Sequence, residues 1–205
     1  MKNSNEQNRL NRRRFAVSAA AGAGALLTAC RLPRSQPAAK PSRKLKLLSY
    51  NVWYGFTKKP ERKANYLKFM QAQAPDVVSL QELNHYTPEK LADDAKAWGH
   101  PHSVLLKEKG FPTGITSSQP ITAVKRTIEG YHHGLLRCQT HGIHVYAIHL
   151  HPGNWEIRIR EIDLLLKDIA TLPRDAKVAL AGDFNTFSLH DKPVYDRSED
   201  MIPFF

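Results

Sequence analysis

From residue 45 onward the chain switches between two hydrophobic periods. LKLLSYNVW (45–53) and DVVSLQEL (76–83) are short apolar runs bounded by turn formers, the pattern of strands. HSVLLKE (102–108) and ITAVKRTIE (121–129) read the same way. PERKANYLKFMQAQ (60–73) places Ala64, Leu67, Phe69 and Met70 near helical spacing, and Pro75 ends that helix. TPEKLADDAKAW (87–98) predicts a second helix, with Thr87 as N-cap, Pro88 in the first turn and acids early. LLRCQTHGIHVYAIHL (135–150) predicts a hairpin turning at His141-Gly142. An amphipathic helix follows over 156–172, and KVALAGDFN (177–185) is the next strand. Helices intermixed with strands and a hairpin predict a layered α/β domain with mixed sheets.

The first 44 residues do not share this patterning. A basic start leads into a weakly apolar stretch, Ala16–Ala29. Those residues would span about 21 Å as a helix, against the roughly 30 Å of a bilayer core, so the stretch is too short for a transmembrane anchor. It fits the n- and h-regions of a signal peptide over residues 1–29. Arg12-Arg13-x-Phe15 resembles a twin-arginine export signal, and Leu27-Thr28-Ala29-Cys30 resembles a bacterial lipobox that would place lipid on Cys30. RLPRSQPAAKPSRK (31–44) has three prolines and no acid and cannot bury enough apolar surface to fold. Residues 30–44 therefore read as a lipidated cysteine and a flexible basic tether. Together these features predict an exported protein held on a bacterial membrane, facing the periplasm or the exterior. Cys138, the other cysteine, lies in an alternating run and reads as buried packing.

A net charge of +11 suggests a nucleic-acid partner until its distribution is counted. Residues 1–29 carry five basic side chains and one acid, and residues 30–46 carry six basic side chains and no acid. Residues 47–205 hold nineteen basic against eighteen acidic groups. The charge belongs to leader and tether, and the near-neutral remainder speaks against a module that binds nucleic acid by charge alone.

Candidate chemistry gathers at strand ends. The first strand finishes at Asn51, the second at Gln81-Glu82, the hairpin at His149, and the last at Asp183 and Asn185. Each has a plain reading: turn residues for Asn51, Asp183 and Asn185, a solvated strand end for Glu82, a strand histidine for His149. Alternation would let Asp183 and Asn185 share a face while Phe184 turns inward. If these ends meet, one rim holds two carboxylates, two carboxamides and an imidazole. That set suits a hard cation such as Mg²⁺ and not a closed structural zinc site.

The words LLSYNVW, DVVSLQEL, VYAIHLH and LAGDFNTF, in this order, resemble the endonuclease/exonuclease/phosphatase superfamily. The resemblance covers residue 45 to about 187, with Gly-Asp-Phe-Asn (182–185) as its most specific word. It implies a four-layer α/β sandwich of two mixed sheets flanked by helices, and divalent-metal-dependent phosphoesterase activity with Mg²⁺ or Mn²⁺. It implies that Asn51 and Glu82 hold the metal, that His149 donates to the scissile phosphate, that Asp183 activates water, and that Asn185 positions phosphate and histidine. It makes the 177–185 strand central and buried. The substrate would be a phosphate ester: nucleic acid, a phospholipid head group or a small ester. No obligate protein partner is evident.

Other residues carry less. Arg158 and Glu161, one helical turn apart, read as a surface ion pair. HPGN (151–154) either lines the pocket or caps the helix. His132-His133 is discounted as a pair because adjacent strand residues face opposite ways. The family's closing Ser-Asp-His word has no counterpart here, and SLHD (188–191) does not replace it. The expectation is thus a 45–205 domain incomplete at its C-terminal end. Its alternative is a catalytically inactive remnant or a binding lipoprotein.

Overall fold

A computed structural model describes residues 44–186 together with His190 and Pro193. The expected leader, Cys30, most of the tether and the chain's last residues lie outside these. Eight strands form, β1 (Leu47–Asn51), β2 (Val77–Gln81), β3 (His102–Leu105), β4 (Gly114–Ser117), β5 (Thr122–Thr127), β6 (Leu135–Thr140), β7 (Ile143–His149) and β8 (Val178–Asp183). Three helices accompany them, α1 (Arg62–Gln73), α2 (Pro88–Ala97) and α3 (Trp155–Ile169).

The strands build two four-stranded sheets, in the orders β1-β2-β4-β3 and β5-β6-β7-β8. Both are mixed, because β1 runs parallel to β2 and β7 parallel to β8 while the remaining pairs are antiparallel. The apolar positions sort into three cores. Tyr66 and Met70 of α1 and Leu91 and Ala95 of α2 pack with Val78 and Leu80 on the outer face of the first sheet. Val77 and Ile115 meet Leu136, Cys138, Val145 and Ala147 between the sheets. Leu165 of α3 covers Leu135, Tyr146 and Ile148. Helices, sheet, sheet, helix: these are the expected four layers. No described helix is long and apolar enough to cross a membrane.

Local chemistry sets the element ends. Thr87 caps α2 by accepting the Lys90 N–H at 3.2 Å, with Pro88 at the first position. Asn154 caps α3 by accepting from the Ile157 N–H at 2.9 Å. His141 and Gly142, at φ of 52° and 72°, make the two-residue hairpin turn, whose geometry needs positive φ at both positions. Cys138 is fully buried, and burial pushes its thiol up to about 12. The outer helix is tied to its sheet by Asp168, which accepts from Tyr146 at 2.8 Å and Arg137 at 2.7 Å and pairs with Lys125.

Several expectations need correction. β4 has no counterpart among the expected strands, because GITS has one large apolar residue and no visible period, yet all four of its residues are buried between β2 and β3. The first strand ends at Asn51 as expected, but Val52 and Trp53, read in the same run, leave it for a 3-10 turn over Tyr54–Phe56. In α1 the ring that enters the core is Tyr66, while Phe69 is exposed. Among the described residues β8 is last in its sheet and not central, with Val178 and Leu180 exposed.

Gly182 decides how closely β8 approaches β7. It stands opposite Ile148, and a Cβ on it would lie 1.9 Å from the Ile148 carbonyl oxygen. Gly182→Ala must push β8 away and is expected to cost about 1–3 kcal/mol. Urea denaturation checks this, and an unchanged midpoint would show that the strand has room.

Candidate active site

The four strand ends meet on one rim. Parallel pairing sets Asn51 opposite Gln81 in one sheet and His149 opposite Asp183 in the other. The sheets are joined behind the rim by Ser79, whose buried hydroxyl donates to the Ala181 carbonyl at 3.1 Å. In front of that bond the Asn51 carboxamide donates from Nδ2 to Glu82 Oε1 at 2.9 Å and to Asp183 Oδ2 at 3.1 Å. One –NH₂ group thus serves carboxylates from both sheets.

The backbone is bent to achieve this. Glu82 has φ of 58°, and Trp53, Tyr54 and Phe56 have φ between 53° and 65°. Non-glycine residues held in this region cost of order 1–3 kcal/mol each, and such outliers cluster at functional sites. Gly55 sits in the same turn because a Cβ there would lie 2.1 Å from the Asn84 carbonyl oxygen. The turn aims donors inward. Tyr54 donates its N–H to Glu82 Oε2 at 3.0 Å, and Gly55 donates to the Glu82 carbonyl at 2.7 Å. Asn51 is itself braced, its Oδ1 accepting from the Trp53 N–H at 2.9 Å.

Asp183 and Asn185 come together differently from the alternation expected of them. The strand ends at Asp183, Phe184 is exposed and not inward, and Asn185 takes a left-handed φ of 49°. Asp183 Oδ1 accepts the Asn185 N–H at 2.9 Å, closing an Asx turn. Asn185 Nδ2 donates to the Leu150 carbonyl at 2.6 Å, which fastens the turn to the residue after His149. The turn explains the local residue types and also positions the pair. Beside it opens a cavity of about 490 Å³ lined by Leu150, Trp155, Ile159 and Phe184, among others.

His149 is buried at 5 % exposure, and its Nδ1 has no hydrogen-bond partner among the described residues. Burial lowers its pKa below the ordinary histidine value, and Asp183 and Glu82 offset that only in part. Its surroundings escape a reading by strand alternation. His132 and His133 lie in the loop before β6, where that rule does not apply. Their rings are 4.4 Å apart, and His133 stacks on His149 at 4.0 Å while His132 meets His151 at 4.3 Å.

Arg158 and Glu161 do not form the expected surface pair. Glu161 is fully buried and accepts the N–H groups of His132 at 2.6 Å and His151 at 2.8 Å. Arg158 donates to the His151 carbonyl at 3.1 Å. Within HPGN, Asn154 caps α3 and His151 joins the imidazole cluster.

The carboxylates of Glu82 and Asp183 fit a hydrated Mg²⁺, which takes one or two carboxylates and keeps several waters, while Asn51 turns its Nδ2 toward them and engages its Oδ1 with the Trp53 N–H. Among the described residues no group of three or more His, Cys, Asp or Glu side chains is arranged to hold a metal ion.

The family described as Endonuclease/Exonuclease/phosphatase family matches residues 48–197. No curated protein matches the sequence. Among solved structures, a D. rerio TDP2 humanized by 14 mutations is 23% identical, with a TM-score of 0.56 over 73% of this chain and 66% of that one. An AP endonuclease from Archaeoglobus fulgidus is 21% identical, with a TM-score of 0.54 over 70% of this chain and 58% of that one. A variant of the 3′ phosphatase NExo from Neisseria, bound to a product DNA hairpin, is 20% identical, with a TM-score of 0.52 over 69% of this chain and 58% of that one. These likenesses show the fold, and the chain spans about two thirds or less of the length of each of these structures.

Glu161→Ala tests whether the buried carboxylate organises the histidine loops. Two buried N–H groups would lose their acceptor, at about 1–3 kcal/mol each. The expected result is a loss of about 2–6 kcal/mol in urea denaturation together with displaced ring resonances of His132 and His151. Unchanged stability and unchanged spectra would show that the loops hold themselves.

Proposed function

The chain belongs to the endonuclease/exonuclease/phosphatase family, and from that premise we propose that it is a divalent-metal-dependent phosphoesterase working at the rim of Asn51, Glu82, His149, Asp183 and Asn185. The observation that carries this reading is the Asn51 carboxamide bridging Glu82 and Asp183 across the two sheets. It brings together residues 132 positions apart, which no separate run of turns would do.

Asn51 and Glu82 would hold the metal, Mg²⁺ or Mn²⁺. When bound, the ion supplies Lewis-acid neutralisation of charge on the phosphate and the leaving oxygen. Asp183 Oδ2, aimed into the rim, receives the proton of the attacking water as its oxygen bonds to phosphorus. His149 enters the step protonated, donates an N–H to the phosphate, and passes that proton to the departing oxygen as the ester P–O bond breaks, ending neutral. Asn185 is fixed by Leu150 and keeps a second amide hydrogen for a phosphate oxygen. Nucleic acid, phospholipid head groups and small phosphate esters all present the group this rim recognises. The likeness to an AP endonuclease and to a 3′ phosphatase bound to product DNA supports nucleic acid or phosphate ends, whereas a membrane location would favour lipid.

Location belongs to the same proposal: export and lipid attachment at Cys30, supported by Arg12-Arg13 and the Leu27–Cys30 word. Cys30→Ser is expected to move the protein from the membrane to the soluble fraction on cell fractionation. A wild-type protein already soluble and starting at Met1 would overturn it.

Activity is tested on the purified full chain with Mg²⁺ and plasmid DNA, sphingomyelin or bis(p-nitrophenyl) phosphate. Hydrolysis of at least one is expected, falling about 10²–10⁴-fold in Asp183→Ala. Calorimetry should show Mg²⁺ binding weakened in Glu82→Ala. A folded protein that cleaves none of the three and binds no Mg²⁺ leaves the binding-lipoprotein alternative standing.

A further inference from the structure

We propose that His133 is a positioning residue for His149, its ring stacked face to face so as to set the plane in which His149 meets the substrate; this rests on the function proposed for that histidine. A working histidine is normally oriented through its second ring nitrogen, which bonds a carboxylate or a carbonyl. His149 lacks that brace, because its Nδ1 is buried and has no hydrogen-bond partner among the described residues. The χ2 torsion of histidine is broad, so burial alone leaves the ring plane weakly defined. The neighbour that defines it is His133, at 4.0 Å between ring centres and 18° between planes.

His133 is itself held from several sides. It is buried at 6 % exposure, and its neighbour His132 is anchored through its N–H on Glu161. Phe111 lies edge-on to His133 at 5.4 Å and 64°, and Tyr54 lies edge-on to Phe111 at 5.1 Å and 74°. Tyr54 is the residue whose N–H binds Glu82. A wall of rings therefore runs from the Glu82 carboxylate to the His149 imidazole, and edge-on and stacked pairs of this kind contribute to holding one another in place beyond the area they bury.

The stack also sets an uncharged ring against His149. The groups acting on His149 are Glu82 at the end of β2, Asp183 at the end of β8, Glu161 of α3, and His132 and His133 of the loop before β6. His133 is held neutral down to a pKa of about 3, by burial first and then by the charge of His149. When His149 carries a proton, its partner remains an uncharged π face, which accepts a cation and does not compete for the proton.

Three substitutions in the full-length protein separate stacking from mere filling of space. His133→Phe keeps a flat ring, His133→Leu keeps apolar volume without one, and His133→Ala keeps neither. The Phe variant is expected to hold kcat within about threefold, while Leu and Ala lose about 10–100-fold in kcat with KM little changed, the cost of a misplaced group. Ring NMR of His149 provides a readout that needs no turnover. The Hδ2 and Hε1 shifts of His149 should hold in His133→Phe, where a flat ring still lies over the imidazole, and move in both His133→Leu and His133→Ala. Leu performing as well as Phe in either readout overturns the proposal. If the wild type hydrolyses nothing, the phosphoesterase reading fails by itself, and the His149 ring shifts still decide whether His133 holds the ring.

Discussion

Two carboxylates at the ends of packed sheets repel each other more strongly than they would in water, because the medium around them screens less. Glu82 and Asp183 are brought within reach of one nitrogen, so their mutual repulsion must be offset by donors. The chain supplies those donors from its backbone and one carboxamide: Asn51 Nδ2 to both, Tyr54 N–H to Glu82, Asn185 N–H to Asp183. None of them carries a full positive charge. The rim is therefore stabilised enough to form and still electron-rich enough to attract a cation, and the strained 3-10 turn and the Asx turn both serve to place these donors.

Much of this was legible in the sequence, for a physical reason. The polar groups at Asn51, Glu82, His149 and Asp183 each close a strand, so a common edge was open to them, and the ordered words that resemble the family are what singled it out. The cap at Thr87 and the turn at His141-Gly142 were legible because they depend on neighbours in sequence alone. What escaped depended on remote partners. Glu161 follows a helical period and reads as solvated, and only N–H groups 29 and 10 residues away make it a core residue. Strand alternation separates His132 from His133, and that rule fails in a loop. β4 has too little apolar content to announce itself and is defined by strands on both sides of it.

The helix α3 illustrates how packing and chemistry share residues. One face buries Leu165 on the second sheet, and Asp168 on the same helix accepts from Tyr146 and Arg137. Toward its other end Glu161 and Arg158 fix the loops that carry His132 and His151. The mostly shielded Asp168–Arg137 pair holds the helix to its sheet, whereas the buried Glu161 carboxylate, with its two N–H donors, holds the histidine loops and is costly to disturb. The histidine end of the helix is accordingly the one whose loss would reach the site.

The bond from Asn51 to Asp183 spans 132 residues. Closing a loop of that length costs about 4 kcal/mol in chain entropy on top of a fixed term, and no local turn shortens it. The first sheet, with Asn51 and Glu82, is contained in the chain before β5 and emerges from the ribosome well ahead of β8. Contacts of high sequence separation form late, because their entropy must be lost before they repay it. A nascent or partly folded chain can thus hold one carboxylate and its carboxamide in place while lacking the other side of the rim. The rim is whole only once the last described strand docks, so its assembly depends on the completion of the second sheet.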